Sequence, residues 1–292
     1  MAQLAYAIQT EREINVATVP QRSPFRYPGG KTWLVPYVRL WLGSKPQKVK
    51  ELIEPFAGGS IVGLTAAFEG LVDKVSLIEL DHDVASVWQT ILNGDGKKLA
   101  ARILSFNPTP STVRSLFERE PKTSLDRAFA TIVRNRVQRG GILAPGAGLM
   151  KKGENGKGLT SRWYPETLYR RILDIVSIKH KIQFFQGDGI EYIRKNIHRQ
   201  RVAFFVDPPY TVAGRRLYRY SDIDHKGLFS MLRKAAGDFL MTYDDSSEIR
   251  SLTVQFRLDC ETVAMKNTHN ASMMELLVGR SLNWLRVSDT RQ

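Results

Sequence analysis

The chain has 292 residues, of which 42% are hydrophobic and 25% charged, a composition that is ordinary for a globular protein and excludes a wholly disordered chain. No apolar run approaches the roughly 18 to 20 residues that a membrane span needs, so no membrane partner is expected. Residues 1–20 lack the apolar core of a secretion signal, which favours the cytoplasm. The single cysteine, Cys260, excludes an intramolecular disulfide, and the five histidines are scattered without metal-ligand spacing, so no metal site is expected.

Positive charge is concentrated in one segment. The chain carries 43 Lys and Arg against 29 Asp and Glu, a net charge of +14. Residues 97–181 alone hold 18 basic and 6 acidic residues, so nearly all of the excess lies there. A concentrated positive field indicates a polyanionic partner, for which a phosphate backbone is the simplest candidate. The alternative is a solvated basic surface that keeps the protein soluble.

The rest of the chain has the pattern of alternating strands and helices. After an irregular arm over residues 1–24, short apolar segments at 49–53 and 75–80 are each followed by a helical pattern. Further strands are predicted at 182–185, 202–206, 239–242, 254–258 and 274–278. Short buried strands that alternate with helices predict an α/β fold, a Rossmann-like sheet with helices on both faces.

The basic segment interrupts this alternation. Residues 97–137 have the pattern of consecutive helices, and residues 140–158 are rich in Gly and Lys, as in a loop. A helix over 165–177 then leads back to the sheet. The sequence therefore predicts a mainly helical insertion over 96–179 in a domain that is made of 25–95 and 180–292.

Two loops after predicted strands carry the residue types of a ligand site, because ligands of open parallel sheets bind beyond the carboxyl ends of the strands. The first is Glu54-Pro55-Phe56-Ala57-Gly58-Gly59-Ser60, whose paired glycines let the backbone approach a ligand closely at a helix N-terminus. No Gly-Lys-Ser/Thr follows, which disfavours a triphosphate. A plain tight turn is the alternative.

Acidic residues follow the second predicted strand. Glu79 lies 20 residues after Gly59, at a spacing where a carboxylate can accept hydrogen bonds from a ribose diol. Asp81 and Asp83 come next, and either could be a helix N-cap instead. A surface carboxylate is the alternative for Glu79. The glycine loop and Glu79 together indicate a cofactor that contains adenosine.

The second loop is Asp207-Pro208-Pro209-Tyr210, directly after an apolar strand. Its prolines fix φ and remove two amide donors, so that carbonyl oxygens can face a substrate. The Asp207 carboxylate and a proline-adjacent carbonyl offer two acceptors for an exocyclic amine, an arrangement that aims the nitrogen lone pair at an electrophile. Tyr210 offers a flat face on which a base can stack. A proline-stiffened turn is the alternative.

With these motifs the chain resembles the Dam-type DNA adenine-N6 methyltransferases, which use S-adenosylmethionine. Phe25-Arg26-Tyr27-Pro28-Gly29-Gly30-Lys31 and the 54–60 loop are similar to the family's first two motifs, and Asp207-Pro208-Pro209-Tyr210 is similar to its catalytic motif. Two departures are Glu54 in place of the more common Asp, and 135–141 in place of the family's Asn-Arg and Phe-Asn-Gly segment. The resemblance implies a Rossmann-like methyltransferase sheet that binds the cofactor and an insertion that recognises the target.

The resemblance also implies roles for individual residues. Lys31 would meet the methionine carboxylate or a neighbouring acid, Glu79 would hold the ribose hydroxyls, and Asp188 would lie near the cofactor's adenine. The target adenine would be held by Asp207, Pro208, Pro209 and Tyr210. The implied cofactor-binding residues are Tyr27, Gly30, Lys31, Glu54, Pro55, Phe56, Gly58, Gly59, Ser60, Glu79, Asp81, Asp188 and Asp207.

The implied substrate is an adenine turned out of double-stranded DNA, because a base within the duplex is inaccessible. The implied DNA-binding residues lie in the basic segment: Arg134, Arg136, Arg139, Lys151 and Lys152. The implied setting is the cytoplasm of a bacterial or phage-infected cell, with or without a restriction endonuclease partner, and a monomer or weak dimer is expected. Three alternatives stay open: RNA as the substrate, cytosine N4 as the methylated atom, and a catalytically silent DNA-binding relative.

The charge distribution predicts how DNA binding depends on salt. Because phosphate contacts by Lys and Arg release counterions, we expect the affinity for duplex DNA to fall about 10- to 100-fold between roughly 50 and 200 mM salt. Fluorescence anisotropy of a labelled duplex measures this dependence. An affinity that stays flat over the same range would contradict a phosphate-dominated interface.

Overall fold

The computed structural model describes residues 19–26, 30–144, 146–153, 156–209, 222–266 and 272–288. Over these residues the strands are Glu51–Glu54 (β1), Lys74–Glu79 (β2), Ile182–Gln186 (β3), Val202–Val206 (β4), Asp238–Asp244 (β5), Asp259–Lys266 (β6) and Ser272–Gly279 (β7). The α-helices are Val35–Gly43 (α1), Ile61–Phe68 (α2), His82–Leu92 (α3), Gly96–Ser105 (α4), Pro110–Glu118 (α5), Ser124–Val137 (α6), Pro165–Ser177 (α7), Gly189–Asn196 (α8), His225–Arg233 (α9), Ser247–Gln255 (α10) and Asn283–Ser288 (α11). Among the helices so described, none has the length and apolar character that crossing a membrane requires.

The strands form one sheet in the order β3-β2-β1-β4-β5-β7-β6. Strands β1 to β5 are parallel, and β7 runs antiparallel to β5 and β6. Strands β2 and β3 follow β1 on one side, and β4 then pairs with β1 on its other side. Ligands of such sheets bind where the strand order reverses, here beyond the ends of β1 and β4. The predicted α/β class with a Rossmann-like sheet is confirmed.

Alternate residues of the central strands pack on opposite faces of the sheet. In β4, Ala203 and Phe205 belong to the hydrophobic cluster on one face, and Phe204 and Val206 belong to the cluster on the other. All four side chains are buried. Because helices cover both faces, β4 is a continuous apolar run without polar alternation.

The helices that lie between α3 and β3 along the chain pack onto the helices that cover one face of the sheet. Helix α6 lies against α3, and α4 lies against α7. Ile132 of α6 and Leu168 of α7 are buried in the same hydrophobic cluster as Trp88 of α3. The basic segment therefore shares a core with the sheet, while the domain boundaries drawn from the sequence stay a prediction.

The strand predicted at 254–258 was wrong. Helix α10 extends to Gln255, and β6 begins only at Asp259. Ile249 and Leu252 of α10 are buried at helical spacing, whereas Val254 is 79% exposed. A short apolar run does not distinguish the end of a helix from a strand, which explains the error.

Gly63 of α2 lies against the carboxylate that ends β1. A Cβ added at Gly63 would lie 2.4 Å from Glu54 Oε2 and 2.8 Å from Ser60 Oγ. We expect Gly63→Ala to lower the free energy of unfolding, measured by urea denaturation, by about 1–3 kcal/mol, the usual range for overpacking. Gly43→Ala in α1 is the matched control, because nothing lies within 4 Å of a Cβ there. An equal effect at both positions would contradict the packing explanation.

Candidate active site

The loop between β1 and α2 is held from within the sheet by Glu54. The Glu54 carboxylate accepts hydrogen bonds from Ser60 Oγ at 2.5 Å and from Gly63 N at 3.0 Å. Burial raises the pKa of Glu54 to about 8, although these two hydrogen bonds oppose the shift. Glu54 therefore fixes the start of α2 and carries a proton for much of the time near neutral pH.

Glu79 ends β2 and reaches across to the same loop. Its Oε2 accepts a hydrogen bond from Gly58 N at 2.8 Å, and its Oε1 accepts one from Asp81 N at 2.9 Å. Trp88 Nε1 donates to the carbonyl oxygen of Gly58 at 2.9 Å, so both backbone groups of this glycine are held. Burial raises the pKa of Glu79 to about 7.

Asp207 follows β4 and is oriented by two neighbours. Lys31 Nζ lies 3.1 Å from Asp207 Oδ1, and Thr242 Oγ1 of β5 donates to the same oxygen at 2.8 Å. Within the described part of the chain, no hydrogen bond reaches Asp207 Oδ2. The carboxylate is therefore fixed through one oxygen, and the other can accept a hydrogen bond from a ligand.

Lys31 is a buried cation between two carboxylates. Its side chain is 5% exposed, and its Nζ lies 3.5 Å from Glu275 Oε2 of β7 as well as close to Asp207. Burial alone would lower the pKa of Lys31, but the two carboxylates outweigh burial and hold the pKa above its usual value. The sequence left two partners open for Lys31, the methionine carboxylate of the cofactor or a neighbouring acid. In the structure Lys31 contacts two neighbouring acids, Asp207 and Glu275.

A cavity of about 680 Å³ opens beyond the carboxyl ends of β1, β2 and β4. Pro209 lines it, whereas Pro208 is buried and does not. Tyr27 and Tyr210, both predicted site residues, lie outside the described residues. The predicted cofactor-binding residues that line the cavity are Gly30, Lys31, Glu54, Pro55, Phe56, Gly58, Gly59, Ser60, Glu79, Asp81, Asp188 and Asp207. The structure thus brings together residues from widely separated parts of the chain.

Two of these acids also cap helices at the cavity edge. Asp81 Oδ1 accepts a hydrogen bond from Asp83 N at 2.8 Å, and Asp188 Oδ1 accepts one from Ile190 N at 2.7 Å. The helix-cap alternative for Asp81 is therefore confirmed. A Cβ at Gly189 would lie 1.9 Å from the Pro55 carbonyl oxygen, so this close approach of two loops requires glycine.

Three of the five predicted DNA-binding side chains lie together on the surface. Arg139, Lys151 and Lys152 are exposed and line one shallow groove. Arg134 is half-buried, with its guanidinium carbon 5.0 Å from the centre of the Phe117 ring. DNA binding by these residues stays a prediction.

The structure contradicts the prediction of a DNA contact for Arg136. The residue is 4% exposed, and its Nη2 donates to the Pro24 carbonyl oxygen at 2.5 Å. Burial lowers the pKa of Arg136 to about 9, and the positive charges of Arg171 and Arg26 add to the shift. Arg136 is buried because it lies on the same side of α6 as Phe129, so it cannot reach a phosphate backbone on the surface.

Sequence reasoning missed Asn135, which connects the insertion to the segment before Lys31. The Asn135 side chain accepts a hydrogen bond from Arg26 N and donates to Arg26 O, both at 2.7 Å, and donates to Gly141 O at 2.8 Å. Gly141 has a φ of +75°, and a Cβ there would lie 2.5 Å from Arg26 O. The departure from the family pattern at 135–141 thus contains the residues that join these two loops.

Two further residues of the site carried no sequence signal. Thr242 lies in the middle of β5, where its hydroxyl orients Asp207. Trp33 is buried and also lines the cavity. Its Nε1 is buried and has no hydrogen-bond partner among the described residues.

Comparisons with known proteins show no matching family model and no matching curated protein. Among solved structures, the rRNA methyltransferase aviRa from Streptomyces viridochromogenes is 14% identical with a TM-score of 0.41, covering 89% of each chain. The N-terminal domain of human METTL16 in complex with SAH is 6% identical with a TM-score of 0.39, covering 85% of this chain and 68% of that chain. The precorrin-6y C5,15-methyltransferase from Geobacter metallireducens is 8% identical with a TM-score of 0.36, covering 83% of this chain and 84% of that chain. Likeness at this level identifies neither a family nor a substrate.

Glu54 and Glu79 make the stability of the folded chain depend on pH. Both pKa values lie above the ordinary 4.5, at about 8 and about 7. The folded state therefore keeps protons that the unfolded state has already released. These carboxyls favour folding below about pH 4.5, and their contribution is lost as the pH rises through 7 for Glu79 and through 8 for Glu54.

Because of Glu79, the free energy of unfolding of the wild type should fall between about pH 4.5 and 7, by up to about 1.4 kcal/mol per pH unit. We expect Glu79→Gln to remove this part of the fall. Urea unfolding of both proteins across this range measures the difference. Glu166→Gln, which changes an exposed carboxylate on α7, is the control. Parallel profiles for the wild type and Glu79→Gln would show that the pKa of Glu79 is not raised.

Proposed function

We propose that the chain is an S-adenosylmethionine-dependent methyltransferase that acts on N6 of adenine in duplex DNA. The observation that carries this proposal is the Asp207 carboxylate on the cavity wall, whose Oδ1 is held by Lys31 and Thr242 and whose Oδ2 receives no hydrogen bond from the described residues. Asp207 Oδ2 can accept one N–H of an exocyclic amine. A carbonyl oxygen of the Pro208-Pro209 segment can accept the other.

The residues of the cavity fit the proposed cofactor. Glu79 offers an acceptor for ribose hydroxyls, Asp188 lies at the edge where the adenine would bind, and Trp33 Nε1 is a buried donor without a partner in the described residues. The carboxylates of Asp81, Asp188 and Asp207 also line the cavity and favour a ligand that carries a positive sulfonium. The volume of about 680 Å³ is within the range of cofactor sites. Bound S-adenosylmethionine supplies a methyl group that is already activated for transfer.

The chain's own residues act by position and electrostatics. Lys31 and Thr242 hold the Asp207 carboxylate in one orientation. By accepting a hydrogen bond from the amine, Asp207 draws the nitrogen lone pair out of conjugation with the ring. A strong base is not needed, because the amine loses its proton only after it has gained the methyl group.

The surface groove of Arg139, Lys151 and Lys152 supports a nucleic-acid substrate. Turning a base out of a duplex costs a few kcal/mol in lost stacking and pairing, and phosphate contacts can offset this cost. The resemblance of the three motifs to those of the Dam-type DNA adenine-N6 methyltransferases supports duplex DNA as the substrate. RNA, cytosine N4 and a silent binder remain distinguishable outcomes of the test.

Asp207→Ala is the variant that tests the proposed chemistry. We expect wild-type protein to transfer tritiated methyl groups from S-adenosylmethionine to duplex DNA, and Asp207→Ala to lose at least about 100-fold of that rate, as when a positioned polar group of an active site is removed. Filter binding measures the transfer. DNA affinity of the variant, measured by anisotropy, should stay within about threefold because Asp207 does not lie in the surface groove.

Asp174→Ala, which removes an exposed carboxylate on α7, is the matched control and should keep the wild-type rate. Transfer to RNA alone would replace the proposed substrate. Label in methylcytosine rather than methyladenine would replace the proposed target atom. DNA binding without transfer by the wild type would identify a silent binder, and normal turnover by Asp207→Ala would overturn the role of Asp207.

A further inference from the structure

A group of arginines forms one wall of the cavity, on the side of the insertion. Arg26 precedes the Gly30-Lys31 pair, and Arg171 belongs to α7; both line the cavity. Arg136 of α6 lies behind them and is buried. From this arrangement we propose that Arg26 and Arg171, backed by Arg136, form a binding site for a phosphodiester group of the nucleic-acid strand. The proposal rests on the function proposed above and adds a substrate-binding site to it.

Among the described residues, the side-chain hydrogen bonds of this group go to backbone carbonyl oxygens. Arg136 Nη2 donates to Pro24 O, and Arg171 Nη1 donates to Ser23 O at 3.1 Å. Within the described residues, none of the three guanidinium groups has a carboxylate oxygen within 4.0 Å. Among the described residues, no carboxylate is therefore paired with Arg26, Arg136 or Arg171.

Two nitrogen atoms of the group also lack any hydrogen bond. Arg26 Nη1 and Arg136 Nε are both buried without a partner in the described part of the chain. A buried donor without a partner costs about 1–3 kcal/mol, and more when it is charged. Burial lowers the pKa of Arg26, Arg136 and Arg171. The positive charge of Arg162 lowers the pKa of Arg26 further. The charges of Arg171 and Arg26 do the same for Arg136. All these groups would gain from a bound anion.

The position of the wall favours a phosphodiester over the carboxylate of the cofactor. The arginines come from the insertion and from the segment that the insertion holds, next to the 140–144 loop, which also lines the cavity. Of the residues proposed for the cofactor, Gly58, Glu79 and Asp188 come from the loops after β1, β2 and β3, on the side of the sheet. A base that enters the cavity remains attached to its sugar and phosphates, so a backbone phosphate must lie at the cavity mouth.

Arg26→Gln is the sharpest test, because the Arg26 side chain makes no hydrogen bond to the described protein. Its replacement removes no such protein contact, so the variant should fold with an unchanged or higher melting temperature. For a labelled duplex DNA, we expect the slope of log affinity against log salt to become shallower by about 1, with a loss of about 5- to 30-fold in affinity near 0.1 M salt. The affinity for S-adenosylmethionine, measured by calorimetry, should stay within about twofold.

Three further variants make the result specific. Arg171→Gln should give a similar change in slope, and Arg26→Lys, which keeps the charge, should restore the wild-type slope. Arg233→Gln, at the exposed end of α9, is the matched control and should change neither slope nor affinity. An unchanged slope with a tenfold weaker affinity for S-adenosylmethionine would overturn the proposal and assign the wall to the cofactor's carboxylate. Unchanged values for both ligands, or a lower melting temperature as the sole effect, would overturn it in favour of a structural role.

Methyl transfer by the wild type, measured on the same sample, separates this proposal from the proposed function. If the wild type transfers methyl groups and the salt slopes of the arginine variants equal the wild-type slope, the proposed phosphate site fails and the proposed function stands. If the wild type transfers none while Arg26→Gln still makes the slope shallower, the anion site stands and the proposed enzyme function fails.

Discussion

The geometry of the candidate site depends on one buried lysine between two carboxylates. Lys31 lies between Asp207 at the end of β4 and Glu275 on β7, and it brings two carboxylates close together where like charges would otherwise repel. Without the lysine, the two carboxylates would repel each other, and Asp207 would lose one of the two groups that orient it. Thr242 adds a second bond to the same oxygen, so the Asp207 carboxylate is oriented from two sides.

The insertion is connected to this ion pair through the backbone of residues 23–26. Arg171 binds Ser23, Arg136 binds Pro24, and Asn135 binds both backbone groups of Arg26. Lys31 follows five residues later along the chain. Basic residues that were expected on a DNA-binding surface thus divide into two groups. Arg139, Lys151 and Lys152 are exposed, whereas Arg136 is buried and holds the backbone of Pro24.

The sheet and the cavity were predictable because they follow from local patterns. The continuous apolar run at 202–206 is typical of a strand that is buried on both faces, and the loops after such strands converge at one edge. The burial of Arg136 was not predicted, although its helical spacing from Phe129 places it on the apolar side of α6. Asn135 and Thr242 could not be found, because their partners are distant in sequence and their residue types are common in helices and strands.

A crystal structure of the chain with S-adenosylmethionine is the most direct test of the central claim. The account predicts the ribose hydroxyls at the Glu79 carboxylate and the sulfonium methyl group facing Asp207 Oδ2 across the space for a base. A cofactor bound outside this cavity, or one whose methyl group points away from Asp207, would contradict it.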